Sequence, residues 1–197
     1  MKIAIDIGHA NNTGARGNGL EEHAVAVTIA ECLAPMLQGL GAKVDVIDFP
    51  GMSNAQDLNA TIKAANEVGY DFGISLHCDS ASTEKTVETE TGPEIINVPN
   101  PGPHGAHVCF YPGSVKGSRL AMCIAEPLSR LLPGRANTVQ SRPGLAVLKR
   151  TRCPWVLCEC GFITNPENAA LMKDHPGRIA EAIAEAIAEG VKDYLNQ

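Results

Sequence analysis

Apolar residues along this chain come in short blocks, and the blocks alternate between strand-like runs and helical spacing. Residues 2–6 are an apolar run that stops before Gly8, as a buried first strand would. Residues 10–20, ANNTGARGNGL, form a loop rich in Gly and Asn. From about Glu21 to Leu40 the apolar positions Val25, Ala26, Ile29, Leu33, Met36 and Leu40 recur at helical spacing. Pro35 inside that helix predicts a kink, and Gly39 and Gly41 end it. Lys43–Phe49 is predicted as a second strand and Asn54–Val68 as a second helix. The run FGISLH at 72–77 is an apolar strand ending on a polar group.

Further along, Gly105–Tyr111 is predicted as a strand and Ser114–Leu132 as a helix. Leu145–Lys149 and Trp155–Cys160 are predicted as two strands separated by a turn around Pro154. Asn165-Pro166-Glu167 is a helix start, with Asn as cap and Pro at the first helical position. The last helix is expected over about Arg178–Leu195, with Ile179, Ile183, Ile187 and Val191 inward. Ser80–Pro103 shows no period and carries four prolines. A structureless stretch of that length is expected to be mobile and to border a functional groove. Strands alternating with helices predict an α/β fold with a largely parallel sheet.

Composition narrows the class. A length of 197 residues suits one domain with a core that needs no disulfide staples. No repeat or linker divides the chain, and no apolar run approaches the roughly 20 residues of a membrane span. Asp6 interrupts the first apolar run too early for a signal peptide, so synthesis in the cytoplasm without a built-in export route is expected. The formal net charge is -6 and no Lys/Arg block stands out, which argues against a nucleic-acid partner. Seven cysteines, an odd number with no export signal, read as free thiols. Cys158 and Cys160 are one residue apart and read as small buried residues of a strand.

The candidate chemistry sits at strand ends, where open α/β sheets collect ligands. His9 follows the first strand, His77 closes FGISLH, and Glu159 lies near the end of WVLCEC. Each histidine alone reads more readily as a hydrogen-bonded structural residue than as a ligand. Glu22 lies three before Val25 and seven before Ile29, on the inward stripe. An acid there needs a partner, because a buried unpaired carboxylate is costly; the alternative is a first-turn acid favoured by the helix dipole. Two His and one Glu are a known catalytic zinc set with water in the fourth position. A further carboxylate beside that water can take and return its proton, and Glu159 is the candidate. The alternative for Glu159 is an ion pair with Arg150 or Arg152. Asp6 either orients His9 or caps a turn. His23 and His175 read as surface helix residues, and His104 and His107, flanking a strand near the long loop, as surface residues with substrate contact as the alternative.

Four segments, in order, resemble the zinc-dependent type 3 family of N-acetylmuramoyl-L-alanine amidases. IAIDIGHA resembles its D-P-G-H opening, and GARGNGLEEHAVAVTIAECL the segment in which a Glu begins the first helix. DFGISLHCDS resembles the I-S-I-H-A-N strand, and GLAVLKRTRCPWVLCECGFITNPENAAL the stretch ending V-E-x-G-F-x-[ST]-N. The match covers nearly the whole length. It implies zinc ligands His9, Glu22 and His77, with Glu159 as catalytic acid/base. It implies one catalytic domain, 1–197, with a mixed sheet of about six strands flanked by helices. The implied substrate is peptidoglycan, cut between the lactyl group of N-acetylmuramic acid and L-alanine.

Ile7, Thr61 and Lys149 depart from the family's usual Pro, Arg and Arg. These departures spare the ligand set and bear on substrate positioning. No helical insertion follows the GAHVCFYPG strand, which predicts a constitutively open site. No wall-binding module is seen. A phage endolysin, reaching the wall after release through a separate pore, or a mother-cell lysis enzyme would fit. The rival readings are a zinc peptidase cutting stem peptides, a catalytically silent wall-binding protein, and a thiol hydrolase using Cys109 or Cys160.

Overall fold

The computed structural model describes residues 1–197, apart from the side chain of Asn12. The first half contains β1 (Lys2–Ile7), β2 (Arg16–Gly17), β3 (Leu20–Glu21), α1 (Glu22–Gly39), β4 (Lys43–Ile47), α2 (Asn54–Val68) and β5 (Phe72–Asp79). Then come β6 (Ser82–Thr89), β7 (Gly92–Pro99), β8 (His107–Phe110), α3 (Val115–Leu131), β9 (Val139–Ser141), α4 (Ala146–Arg150), β10 (Trp155–Phe162), α5 (Pro166–Asp174) and α6 (Pro176–Leu195). Six strands form one sheet in the order β4-β1-β5-β10-β8-β9. Every neighbouring pair is parallel except β10 and β8. This is the mixed, largely parallel sheet of one α/β domain.

The sheet's two faces differ. Alternate residues point to opposite faces. Ile3, Ile5, Ile7, Ile74, Leu76, Val156, Cys158 and Cys160 share a core with residues of α1, α3 and α6. Along α6 the buried positions Ala180, Ile183, Ala184, Ile187 and Val191 follow the helical period. Gly190 lets α6 approach α3, because a Cβ there would lie 2.5 Å from Cys123 O and Ile124 Cα. The other face carries Ala4, Cys109, Trp155 and Leu157, covered by Ala65 of α2 and by Val147 and Leu148 of α4. That cover is thin, and the polar side chains Asp6, Ser75, His77 and Glu159 lie on this face. Gly73 is required here: a Cβ would lie 2.2 Å from the Trp155 ring.

Local signals account for several helix ends. Ser53 and Gln56 form a capping box on α2. Asn165 Oδ1 accepts from Glu167 N and Asn168 N at the start of α5. Pro35 lies inside α1 without interrupting it over Glu22–Gly39.

Two expectations fail. Leu145–Lys149 was expected as a strand, yet residues 146–150 are helical. The run is so short and apolar that periodicity cannot separate the two forms. Ser80–Pro103 is not structureless, since β6 and β7 pair from Ser82↔Pro99 to Thr89↔Gly92. Most side chains of this hairpin are exposed on both faces, so no apolar alternation marks it. Gly92, at φ 115°, serves the turn. The short edge strand β9 had no sequence signal either. Among the described residues, no helix is long and apolar enough to cross a membrane.

Candidate metal centre

β1 and β5 run parallel and end side by side, with Ile7 paired to Leu76. The chain leaves β1 through Gly8 into His9, which adopts a left-handed conformation at φ 60° and ψ 66°. His77 sits near the carboxyl end of β5. Glu22, the first residue of α1, is 4% exposed and reaches both histidines. Its Oε1 lies 2.9 Å from His77 Nδ1 and accepts from Cys78 N at 3.0 Å. Its Oε2 accepts from Ala15 N at 2.7 Å and lies 3.7 Å from His9 Nε2. The imidazole rings stand edge to face, 5.0 Å between centroids. One donor atom from each of His9, Glu22 and His77 lies within 4.8 Å of the other two.

Glycines make room for this packing. A Cβ on Gly8 would lie 2.2 Å from His77 Cε1, and one on Gly14 would lie 2.6 Å from Glu22 Oε2. The donor set of two imidazoles and one carboxylate is the chemistry zinc takes in open catalytic sites. His9 Nδ1 is buried without a hydrogen-bond partner among the described residues. The residues therefore fit a divalent cation of zinc's preferences.

The electrostatics agree. Burial alone would raise the pKa of Glu22, but the His77 hydrogen bond and the His77 and His9 charges hold it below the ordinary carboxylate value. Burial would lower His77, yet the hydrogen bond to Glu22 and the charges of Glu159, Glu22 and Asp6 carry it to about 9. A protonated imidazole cannot ligate, so metal must displace that proton. Zinc binding near pH 7.5 should therefore release close to one proton per ion. Affinity should weaken about tenfold per pH unit below 9. Calorimetry in two buffers of different protonation enthalpy measures this; pH-independent binding without proton release would contradict it.

Glu159 lies in the same row. Its register partners are His77 on β5 and His107 on β8, so all three project from one face. The flanking Cys158 and Cys160 join the opposite core. Glu159 Oε2 is buried without a hydrogen-bond partner among the described residues. Burial, with the Asp79 and Glu22 charges, pushes its carboxyl up to about 8 against the pull of His77 and Arg142. An ion pair with Arg150 or Arg152 is not formed: the Arg150 guanidinium donates to Asn59 Oδ1 at 2.9 Å.

Other sequence candidates fall differently. Asp6 makes no hydrogen bond to His9. It accepts from Ser75 Oγ at 2.5 Å and Thr61 Oγ1 at 3.1 Å, and Trp155 Nε1 donates to Ser75 Oγ at 2.8 Å. This buried network underlies the histidines. His107 is not a surface residue but 3% exposed, its Nε2 3.9 Å from Asp79 Oδ2. Burial, Arg135 and Arg142 hold it down to about 4, a neutral imidazole at neutral pH. Period-two alternation along HVCF could have placed it on the Glu159 face. Arg135 and Arg142 act on this row from loops and left no sequence signal. His23 is half-buried against Asp48 at 3.0 Å, while His104 and His175 are exposed.

All seven cysteines are free. Burial pushes Cys109 up to about 12 and raises Cys160 well above the usual thiol value. Neither is a nucleophile near neutral pH. Iodoacetamide should leave hydrolysis unchanged, whereas a chelator should abolish it; the reverse pattern would revive a thiol mechanism.

Comparison with known proteins gives the family of the chain. The family model described as N-acetylmuramoyl-L-alanine amidase, Amidase_3, matches residues 3–192. The N-acetylmuramoyl-L-alanine amidase CwlM of Bacillus licheniformis is 25% identical over 100% of this chain and 69% of its own length. The germination-specific N-acetylmuramoyl-L-alanine amidase of Bacillus subtilis is 24% identical, covering 99% of this chain and 80% of the relative. Among solved structures, the catalytic domain of an endolysin targeting Clostridia Difficile superposes with a TM-score of 0.78 at 27% identity, over 98% and 97% of the two chains. Ami1 from Mycobacterium smegmatis shares the fold, with a TM-score of 0.79 at 20% identity over 100% and 97%. A family pattern met from the first strand to the last helix leaves one assignment: the chain belongs to the Amidase_3 family of N-acetylmuramoyl-L-alanine amidases.

Proposed function

We propose that the protein is a zinc-dependent hydrolase of the amide between the lactyl group of N-acetylmuramic acid and L-alanine in peptidoglycan. The observation that carries the zinc reading is the convergence of donor atoms from His9, Glu22 and His77 within 4.8 Å, with Glu159 next to His77 in the same sheet row. When bound, zinc would polarise the scissile carbonyl and lower the pKa of a water toward about 7.

The protein's own groups do the rest. His9, Glu22 and His77 would hold the ion. Ala15 N–H and Cys78 N–H fix the Glu22 carboxylate, so its orientation does not depend on the metal. Glu159 accepts the proton of the attacking water and passes it to the departing nitrogen of L-alanine. A carboxyl raised to about 8 is suited to that exchange near neutral pH. The neutral His107 opposite Glu159 adds no charge of its own to those of Asp79, Glu22, His77 and Arg142.

Purified protein should clear suspensions of cell wall. Mass analysis of the digest should find muramic acid with a free lactyl carboxylate and peptides that begin with L-alanine. Cuts inside the stem peptide would make it a zinc peptidase, and binding without cleavage a silent wall-binding protein. Lysis of a cell from within, by a phage or a mother cell, is the setting we propose.

A further inference from the structure

His9 turns Nε2 toward Glu22, 3.7 Å from its Oε2. That nitrogen is the one placed for a metal, which leaves Nδ1 to carry the proton of the neutral ring. A metal-bound imidazole almost always donates its other N–H to an acceptor, which fixes the ring and strengthens the ligand. Asp6 does not serve, since it accepts from Ser75 and Thr61. His9 Nδ1 is buried and has no hydrogen-bond partner among the described residues. A nitrogen closed off from solvent needs an acceptor supplied by the protein.

One acceptor beside it is likewise unpaired. Asp57 of α2 is 4% exposed and lines the same cleft as His9. Its Oδ2 accepts from the N–H of Ala10, the residue after His9, at 3.3 Å. Its Oδ1 is buried with no hydrogen-bond partner among the described residues. A buried ring nitrogen thus lacks an acceptor and a buried carboxylate oxygen lacks a donor, and the Ala10 hydrogen bond already ties the two groups together. Leaving either atom alone is costly, and pairing them removes both costs. Asn54, one turn earlier on α2, also acts on the His9 ring, but it is exposed and water can serve its amide. His9 further holds a left-handed backbone at φ 60°. Outside glycine that conformation is costly and persists only where neighbours hold it, as the bond from Ala10 to Asp57 does.

We propose that Asp57 is the positioning residue of His9: Oδ2 holds the loop through Ala10 N–H, and Oδ1 accepts the Nδ1 proton when Nε2 binds metal. The inference rests on the zinc reading above. Zinc affinity, measured by competition with a chelator and without substrate, should be about 10–100-fold weaker in Asp57→Ala than in wild type. Asp57→Asn should lose on the same scale, because either orientation of its amide sets an N–H against Ala10 N–H or against the His9 ring. Asn54→Ala should lose less. Proton NMR of the cobalt(II)-loaded protein reads the ring itself, since only imidazoles bound to that paramagnetic ion give strongly shifted, exchangeable N–H signals. Wild type should keep the His9 N–H signal in water, and Asp57→Ala should lose it to solvent exchange while the His77 signal stays. Wild-type zinc affinity in both Asp57 variants, a loss confined to Asn54→Ala, or an unchanged His9 signal in Asp57→Ala would overturn the assignment. Should the Asp57 variants not fold, wild type alone decides, because a His9 N–H already lost to solvent exchange would also overturn it. Wild type that binds neither zinc nor cobalt would instead overturn the zinc reading itself.

Discussion

Glu159→Gln should lower kcat by roughly 10²–10⁴, the usual contribution of a general acid/base, while zinc content stays at the wild-type level. Gln keeps the shape of the side chain and removes its charge. The three proposed ligands are untouched, so metal should remain. Stability should not fall, because the carboxylate gains no ion pair in the fold and burial opposes its charge. The sign can be followed with pH in the metal-free protein. Folding raises the Glu159 pKa from its ordinary 4.5 to about 8. Between those values the folded state holds the extra proton, so rising pH costs stability across that window. The Gln variant lacks this loss, and its melting temperature should gain on wild type from pH 5 to 8. Steady-state kinetics, metal analysis and melting curves together decide the matter. A folded, zinc-loaded variant with near wild-type turnover would remove Glu159 from the chemistry. Loss of zinc along with activity would make it a ligand.

A second large effect is expected one residue before the proposed ligand His9. Gly8→Ala should weaken zinc binding by about 10–100-fold or more, the scale seen when ligand orientation is disturbed. A Cβ at Gly8 would lie 2.2 Å from His77 Cε1 and 2.4 Å from His77 Nε2. Gly8 has no positive φ, so the backbone tolerates alanine and the imidazole must move instead. His77→Ala is the limiting case, leaving two donors, which hold zinc poorly. Gly144→Ala is the control, since nothing lies within 4 Å of its added Cβ. Metal analysis after dialysis against a weak chelator reads all three. Stoichiometric zinc in Gly8→Ala or His77→Ala would refute the packing or the ligand set respectively.

The strands and helices that carry the site were legible because their periods are strong. The apolar runs of β1, β5 and β10 ended at His9, His77 and Glu159, and the stripe through Val25 and Ile29 turned Glu22 inward. Those are local properties: alternation, helical spacing and stop signals act over a few residues. The hairpin of β6 and β7 was illegible because it buries little, and α4 because it is too short to show a period. The resemblance to a family added the ligand assignment that single strand-end histidines leave open.

The sequence by itself thus determined the α/β class, the strands β1, β5 and β10 with helix α1, and the four polar residues that end or begin those elements. Only the tertiary structure decided what surrounds them. Antiparallel pairing of β8 against β10 brings His107 opposite Glu159. Packing of α2 against the β1 side places Asp57 and Thr61 beside His9 and over Asp6. Close approach of Gly8 and Gly14 to the side chains of His77 and Glu22 explains why those positions lack a Cβ. Each of these contacts joins residues far apart along the chain. Their geometry follows from which sheet edge and which face each element occupies, and no short window of residues encodes that choice.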